Sequence, residues 1–340
     1  MSMRILTVTN IYPTPQFPAR GSFVKAQVDS LIREGIESDL VYINNIDTRF
    51  AFVKKSVEIL GRSCLSRYDL IHAHYGTSGV AARMQIRLPV VVSFLGSDLL
   101  GNPDDQGGKT PYSRLVVLAG RFLSNMVDAV IVKSAELRSL IPRKDNVHII
   151  PNGVDFDRFQ PEDRILARKK TGLSPGRKYI LFPSNAEWTR KGFALAREAV
   201  ACVRARGIDV ELIPVYGKPQ ETVPDYMNAA DAMVMTSMWE GSPNVIKESM
   251  AVNLPIVSMD VGDVREIITG TEGCFISPRD PLVIADRLEW ILKWGGRTDG
   301  RKRIRHLDSR RVARRIIRIY QQIVRGKPHG IDAANRNRFV

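Results

Sequence analysis

Short apolar runs with β-forming residues alternate with helical-period segments along this chain, and the alternation starts afresh once. The runs "MRILTVTN", "ESDLVYI", "YDLIHAHYG", "PVVVSFLGSD", "VDAVIVKS" and "NVHIIPNGVD" read as strands. Between the first two, "SFVKAQVDSLIREG" places apolar residues at 23, 24, 28, 31 and 32, a helical period closed by Gly35. After "PNGVDFDRFQP" a second series begins: "KYILFPS", the helix "KGFALAREAVACVRARG", then "DVELIPV", "DAMVMTS", "PNVIKESMAVN", "PIVSMD" and "GCFISP". Such alternation builds a parallel sheet wrapped by helices, here twice over. The length of 340 residues suits two domains better than one. We place the boundary within 152–165, giving an α/β domain at 1–160 and another at 161–300. Two doubly wound sheets leave a cleft at the carboxyl ends of their strands, where such folds hold ligands.

Composition narrows the function classes. The formal charge of +14 is local: residues 297–327 hold twelve Lys or Arg against Asp299 and Asp308, and the first 296 residues carry only +3. Within this stretch, "SRRVARRIIRIYQQIV" repeats Val312, Ile316, Tyr320 and Ile323 at helical spacing, with Ala313, Ile317 and Val324 beside them. Arg310, Arg311, Arg314, Arg315 and Arg318 cover the other side, so a basic amphipathic helix is expected at about 309–325, packing back on the first domain. Aromatics do not interleave with these cations as in base-stacking surfaces, which argues against nucleic acid. An anionic membrane face is the better partner for the arginines. No apolar run approaches the roughly 18 residues needed to span a bilayer, and nothing near Ile5–Val8 resembles a signal peptide. Cys64, Cys202 and Cys274 are far apart and in no metal-ligand spacing, which suits a reducing cytoplasm, with or without peripheral contact to the inner membrane face.

The stretch "MWEGSPNVIKESMA" carries the chemistry. Glu240 and Glu248 have seven residues between them, across a Gly-Ser-Pro turn, with Ser242 as the expected helix N-cap and Pro243 as the first helical residue. A helix N-terminus at a strand's carboxyl end suits an anion such as a diphosphate. One glutamate before that terminus and one about a turn and a half inside it can accept from hydroxyl groups at the two ends of a long ligand. A nucleotide-sugar has that form.

On these residues the chain resembles the retaining glycosyltransferases of family 4, with their E-x7-E signature and GT-B fold. The resemblance also covers the first glycine-bearing loop with Gly21 and Ser22, the "PNGVD" turn, and "RKGF" at Arg190–Phe193. It implies that Glu240 contacts the donor sugar and Glu248 the ribose hydroxyls. It implies Lys191 on the donor diphosphate, with main-chain contacts from Gly241, Ser242, Pro243, Asn244 and Val245, and from Gly262 and Asp263. It implies no bound metal; "DFD" at Asp155–Asp157 lies in the interdomain turn and is not read as a metal motif. The substrates implied are a nucleotide-diphospho-sugar and a glycan or lipid-linked acceptor, the latter held near "NIYPTPQFPARGSF".

Two places depart from the family pattern. An arginine expected before Lys191 is replaced by Ser184-Asn185, leaving Arg190 as the substitute. A histidine expected beside the reaction centre is Leu95, in "SFLGSD". Asp98, His72 and His74 are the polar groups left near that point, with Asp98 and His74 taken as catalytic candidates beside Glu240. Two other readings stand beside transfer: a nucleotide-sugar epimerase or hydrolase on the same scaffold, and a binding protein that kept the donor pocket without chemistry.

Overall fold

The computed structural model describes residues 2–44, 50–65, 67–101 and 110–326; Lys327 and 331–340, counted in the charge above, lie outside them. Eleven strands form among these residues: β1 Arg4–Thr9, β2 Glu37–Tyr42, β3 Leu70–His74, β4 Val90–Ser93, β5 Ala129–Val132, β6 Val147–Ile149, β7 Lys178–Phe182, β8 Val210–Pro214, β9 Ala232–Met235, β10 Ile256–Ser258 and β11 Cys274–Ile276. They make two sheets, ordered β2-β1-β3-β4-β5-β6 and β11-β10-β9-β7-β8. Every pairing is parallel. The order in which strands are added reverses between β1 and β3 in the first sheet and between β7 and β9 in the second. Connections leave those strands on opposite sides, so a crevice opens at their carboxyl ends.

Alternate residues of each strand serve opposite faces, and both faces are buried. In the first sheet Leu6, Val8, Ile71, Val92 and Val130 pack on one side, while Ile5, Leu70, Val91, Ala129 and Ile131 pack on the other. The second face is covered by the helix Ser22–Arg33 and by the C-terminal helix Ser309–Gly326. Val312, Ala313, Ile316, Ile319 and Tyr320 are the buried apolar residues of this last helix; Ile319 joins the expected stripe, whereas Ile317, Ile323 and Val324 are only partly covered. Its approach is pinned where Ser309 N–H donates to the Val154 carbonyl (2.9 Å) beside a Val154–Asp308 bridge.

The arginines of that helix are less free than their sequence implies. Arg310 pairs with Asp157 (2.6 Å), Arg314 pairs with Glu34 (2.6 Å), and Arg315 donates to the Ile149 carbonyl (3.0 Å). Among the described residues, no helix is long and apolar enough to cross a membrane.

Candidate functional site

The second sheet's reversal point brings the loops after β7 and β9 together. The first loop ends in a turn, Thr189–Lys191, closed by Gly192 at φ 70°. A methyl at Gly192 would run into the Thr236 carbonyl just beyond β9, so only glycine fits this close approach. The Thr236 hydroxyl is within hydrogen-bond distance of both the Lys191 and the Gly192 carbonyls (3.0 and 2.8 Å). Main-chain contacts therefore aim the Lys191 side chain. Its Nζ lies 2.5 Å from Glu240 Oε1 and both side chains are largely buried, which places the lysine and the first glutamate of "MWEGSPNVIKESMA" in one ion pair. Burial lowers the Lys191 pKa, and Glu240 works against that shift.

Arg190 is not simply solvated. Its guanidinium lies over the rings of Trp239 (4.9 Å) and Trp188 (5.4 Å), with Nη1 3.8 Å from Glu240. Cation–π contacts hold it beside the Lys191–Glu240 pair.

The helix beyond the loop differs by one residue from the sequence reading. It spans Asn244–Ala251, Pro243 is the capping residue, and no side chain caps its first amides. Ser242 is not the N-cap, because its hydroxyl has other partners. It donates to Asp263 Oδ2 (2.6 Å) and accepts from Lys247 Nζ (2.6 Å), linking a buried carboxylate to a buried ammonium. Bonds to charged groups outweigh a neutral cap. The consequence for function is that the first amides of this helix keep their donors for a ligand. Gly262, at φ 58°, sits under this turn: a Cβ there would be 2.7 Å from the Gly241 carbonyl oxygen.

Glu248 lies further along the same helix. Its carboxylate makes no hydrogen bond to a described residue, and burial pushes its pKa up to about 7 against the pull of Arg158 and Lys247. A carboxylate held without a donor in a half-buried place is prepared for hydroxyl groups from outside the chain.

Across the cleft the first domain meets this turn through backbone. A Cβ on Gly241 would lie 2.8 Å from the Leu95 oxygen and 3.1 Å from Gly96 Cα. Asn152, after β6, donates to Asn244 (3.3 Å), the first residue of the helix. Leu95 thus contributes to the junction through its main chain.

Asp98 does not offer a carboxylate to the cleft as expected. It is 3% exposed and accepts from three main-chain amides: Leu95 (3.1 Å), Gly96 (2.9 Å) and Gly76 (3.2 Å). Burial raises its pKa to about 6 even against those donors. It is a positioning residue that ties the loop after β4 to the helix start after β3. His72 is also occupied, with Nε2 2.9 Å from the Ser93 hydroxyl and Nδ1 2.6 Å from the Tyr320 hydroxyl. His74, 1% exposed, has no partner at either ring nitrogen, and burial holds its pKa well below the usual value. A neutral histidine so deep is not poised as a base at neutral pH. Gly21, at φ 70°, begins the helix Ser22–Arg33; a Cβ there would lie 2.7 Å from the Ile11 backbone, so Gly21 lets the proline loop close on itself.

Sequence reasoning missed several groups here. Tyr75 adopts φ 74°, ψ 147°, a conformation costing about 1–3 kcal/mol in a non-glycine residue. Its hydroxyl feels the charges of Asp98, Arg190 and Arg20, groups from both sides of the cleft. The position was visible in "HAHYG", but nothing local marks its backbone as strained. Lys133 and Lys247, each at most 1% exposed, were also passed over; lysines in such patterns ordinarily face water.

Comparisons with known proteins bear on the family and the fold. The model of Glycosyltransferase Family 4 matches residues 10–158, and that of Glycosyl transferases group 1 matches 211–293. A D-inositol 3-phosphate glycosyltransferase of Pseudarthrobacter chlorophenolicus is 27% identical, over 70% of this chain and 66% of its own length. The teichuronic acid biosynthesis glycosyltransferase candidate TuaC of Bacillus subtilis is 24% identical, over 84% of this chain and 88% of its own. In fold the chain is similar to sucrose-phosphate synthase from Thermosynechococcus elongatus, with TM-score 0.79, 18% identity, and coverage of 96% of this chain and 100% of that one. It is also similar to Anabaena HepE in complex with UDP, with TM-score 0.71, 15% identity, and coverage of 94% and 100%. Two parallel-sheet domains meeting at a cleft, and family models that between them match both, make this chain a GT-B transferase belonging to the group 1/family 4 glycosyltransferases.

Proposed function

We propose that this protein is a retaining transferase that moves a sugar from a nucleotide-diphospho-sugar to a glycan or lipid-linked acceptor, at the cytoplasmic side of a membrane. The observation that carries this reading is the junction of Lys191 and Glu240 at the ends of β7 and β9, with the uncapped helix Asn244–Ala251 and Glu248 behind them. In the reaction the bond from the sugar's anomeric carbon to the diphosphate oxygen breaks. The acceptor oxygen bonds to the same face, and its proton passes to the departing diphosphate. Lys191 and the helix amides, including those of Asn244 and Val245, meet the charge developing on the leaving group. Glu240 orients the donor sugar, and Glu248 accepts from the ribose. No step needs a side-chain base at position 95, so Leu95 is compatible with turnover. Incubation with a panel of nucleotide-sugars and a lipid extract, read by product mass, tests the proposal. Nucleotide binding with no product from any donor would favour the non-catalytic reading instead.

For membrane contact we favour a different surface from the C-terminal arginines, three of which bond to this chain. The helix Pro111–Leu123 exposes Tyr112, Leu115, Leu118 and Phe122 beside Arg114, and carries no acidic residue. The helix Ala51–Leu65 exposes Val53, Val57 and Leu60 beside Lys54. Apolar and basic residues on one helix suit the interfacial region of an anionic leaflet.

Two further results are expected. The raised pKa of Glu248 makes ribose recognition pH-dependent. A hydroxyl donating to Glu248 favours the anion, so binding lowers its pKa from about 7, and affinity present above pH 7 is lost as the pH falls through that value. Calorimetry from pH 5.5 to 8 should show a nucleoside diphosphate outbinding its 2′-deoxy form at high pH, with the gap narrowing by up to about tenfold per unit below 7. Glu248→Gln should flatten that profile; an unchanged profile would count against the ribose role. Gly241→Ala should hold the two loops apart through backbone contacts alone. Turnover should fall by about 10- to 100-fold, since small misplacements at a reacting centre are costly, while nucleoside diphosphate affinity changes little.

A further inference from the structure

Lys133 follows β5 at the carboxyl edge of the first sheet, two strands from His74 at the end of β3. It is 1% exposed, and no carboxylate of a described residue pairs with it. Its one hydrogen bond is long, 3.4 Å to Gln27 Oε1 from the helix Ser22–Arg33. The groups around it are short of acceptors. Gln27 Nε2 is buried without a partner, and so are both ring nitrogens of His74, one of which is the donor of the neutral ring. Opposite lies Lys247 of the second domain, fully buried, whose charge reaches Lys133. The charge of Lys247 is answered through Ser242 by Asp263. Lys133 has no comparable relay; Asp98 acts on it only at a distance and is occupied by amides. A buried ammonium without an anion is costly by several kcal/mol, and unpaired buried donors add to that. Lys133 and Gln27 are in contact, and the Lys133 charge reaches His74, so these under-paired groups lie in one neighbourhood.

We propose that Lys133, Gln27 and His74 form a pocket for an oxyanion of the phosphate or carboxylate class on the first-domain wall of the cleft, with Lys247 facing the same anion from the second domain. The inference rests on the transferase reading of the cleft. Two ligand sources share this chemistry: an anionic group on the acceptor, or the diphosphate of the donor. Position on the first domain, away from Lys191, favours the acceptor. Without ligand, burial and Lys247 hold the Lys133 pKa down to about 7. An anion restores the charged form, so binding at pH 8 takes a proton from the buffer.

The test is calorimetric titration of inorganic phosphate into the full chain, alone and saturated with whichever of UDP, GDP or ADP binds. Phosphate should bind the nucleotide-loaded protein, with proton uptake seen as a difference between Tris and HEPES at pH 8. Lys133→Met should weaken phosphate by about 10- to 100-fold, as expected for a lost charge-assisted bond, and leave nucleoside diphosphate affinity unchanged. If phosphate instead competes with the nucleoside diphosphate, and the variant weakens both but not the nucleoside, the pocket stands and its anion is the donor's. Failure of the wild type to bind phosphate, or equal binding by Lys133→Met, overturns the proposal. Should that variant misfold, Gln27→Leu is read by the same criterion. The transferase reading fails separately, by an absence of sugar transfer from any donor, with phosphate binding intact.

Discussion

Glu240→Ala should lower sugar transfer by about 10²- to 10³-fold, the scale of removing one oriented polar group from a reacting centre. Glu240 stands 2.5 Å from Lys191 and within 3.8 Å of Arg190; in the proposed reaction it would both fix the cation that meets the diphosphate and face the donor sugar. Loss of the carboxylate releases Lys191 for phosphate. Nucleoside diphosphate affinity should therefore stay within about threefold or rise, while turnover with the intact donor collapses. Glu240→Gln keeps the shape and should recover only part of the loss, because a neutral amide neither holds Lys191 nor carries its charge. Single-turnover rates beside calorimetric affinities make the comparison. Equal losses in nucleotide affinity and turnover would mean that Glu240 serves only to build the phosphate site.

Tyr320→Ala should cost about 3–5 kcal/mol of folding stability, the range for removing a buried aromatic ring. Tyr320 is fully buried between the C-terminal helix and the first sheet, among Val91, Ile131 and Ile316. Its hydroxyl lies 2.6 Å from His72 Nδ1, and the rings meet edge to face at 5.6 Å. Truncation opens a cavity and leaves Nδ1 of His72 without its partner inside the sheet, while Nε2 keeps Ser93. Tyr320→Phe isolates the hydrogen bond and should cost about 1–2 kcal/mol. Urea denaturation of the three proteins separates the contributions. A loss below 1 kcal/mol for the alanine variant would show that the helix Ser309–Gly326 holds by its other contacts.

Much of this fold is visible in local pattern. Runs such as "KYILFPS" and "DAMVMTS" are apolar throughout because parallel strands are buried on both faces. The helix Pro281–Trp294 also carried a readable signal. Asp280 caps it by accepting from the Leu282 amide (2.8 Å), Pro281 opens it, and Ile284, Leu288 and Ile291 follow the helical period. The site was legible where the motif itself is local: Glu240, Glu248 and Lys191 were named from spacing and resemblance. Ser242 was misread because a capping preference describes a serine with no better partner, and Asp263, twenty-one residues on, is a better partner.

The sequence by itself determined two parallel α/β units, the segment that starts the second-domain helix, the amphipathic character of the last helix, and the family. Periodicity and turn chemistry act over a few residues and can be read from them. Tertiary structure decided which polar groups meet: Lys191 with Glu240, His72 with Tyr320 across 248 positions, and Asp98 with the amides of its own loops. It also left both ring nitrogens of His74 buried without partners and Lys133 with a single long bond to Gln27, something no local pattern marks. The reason is physical. Strand order brings distant carboxyl ends to one crevice, and burial there turns ordinary side chains into groups that must be paired, neutralised or supplied with a ligand.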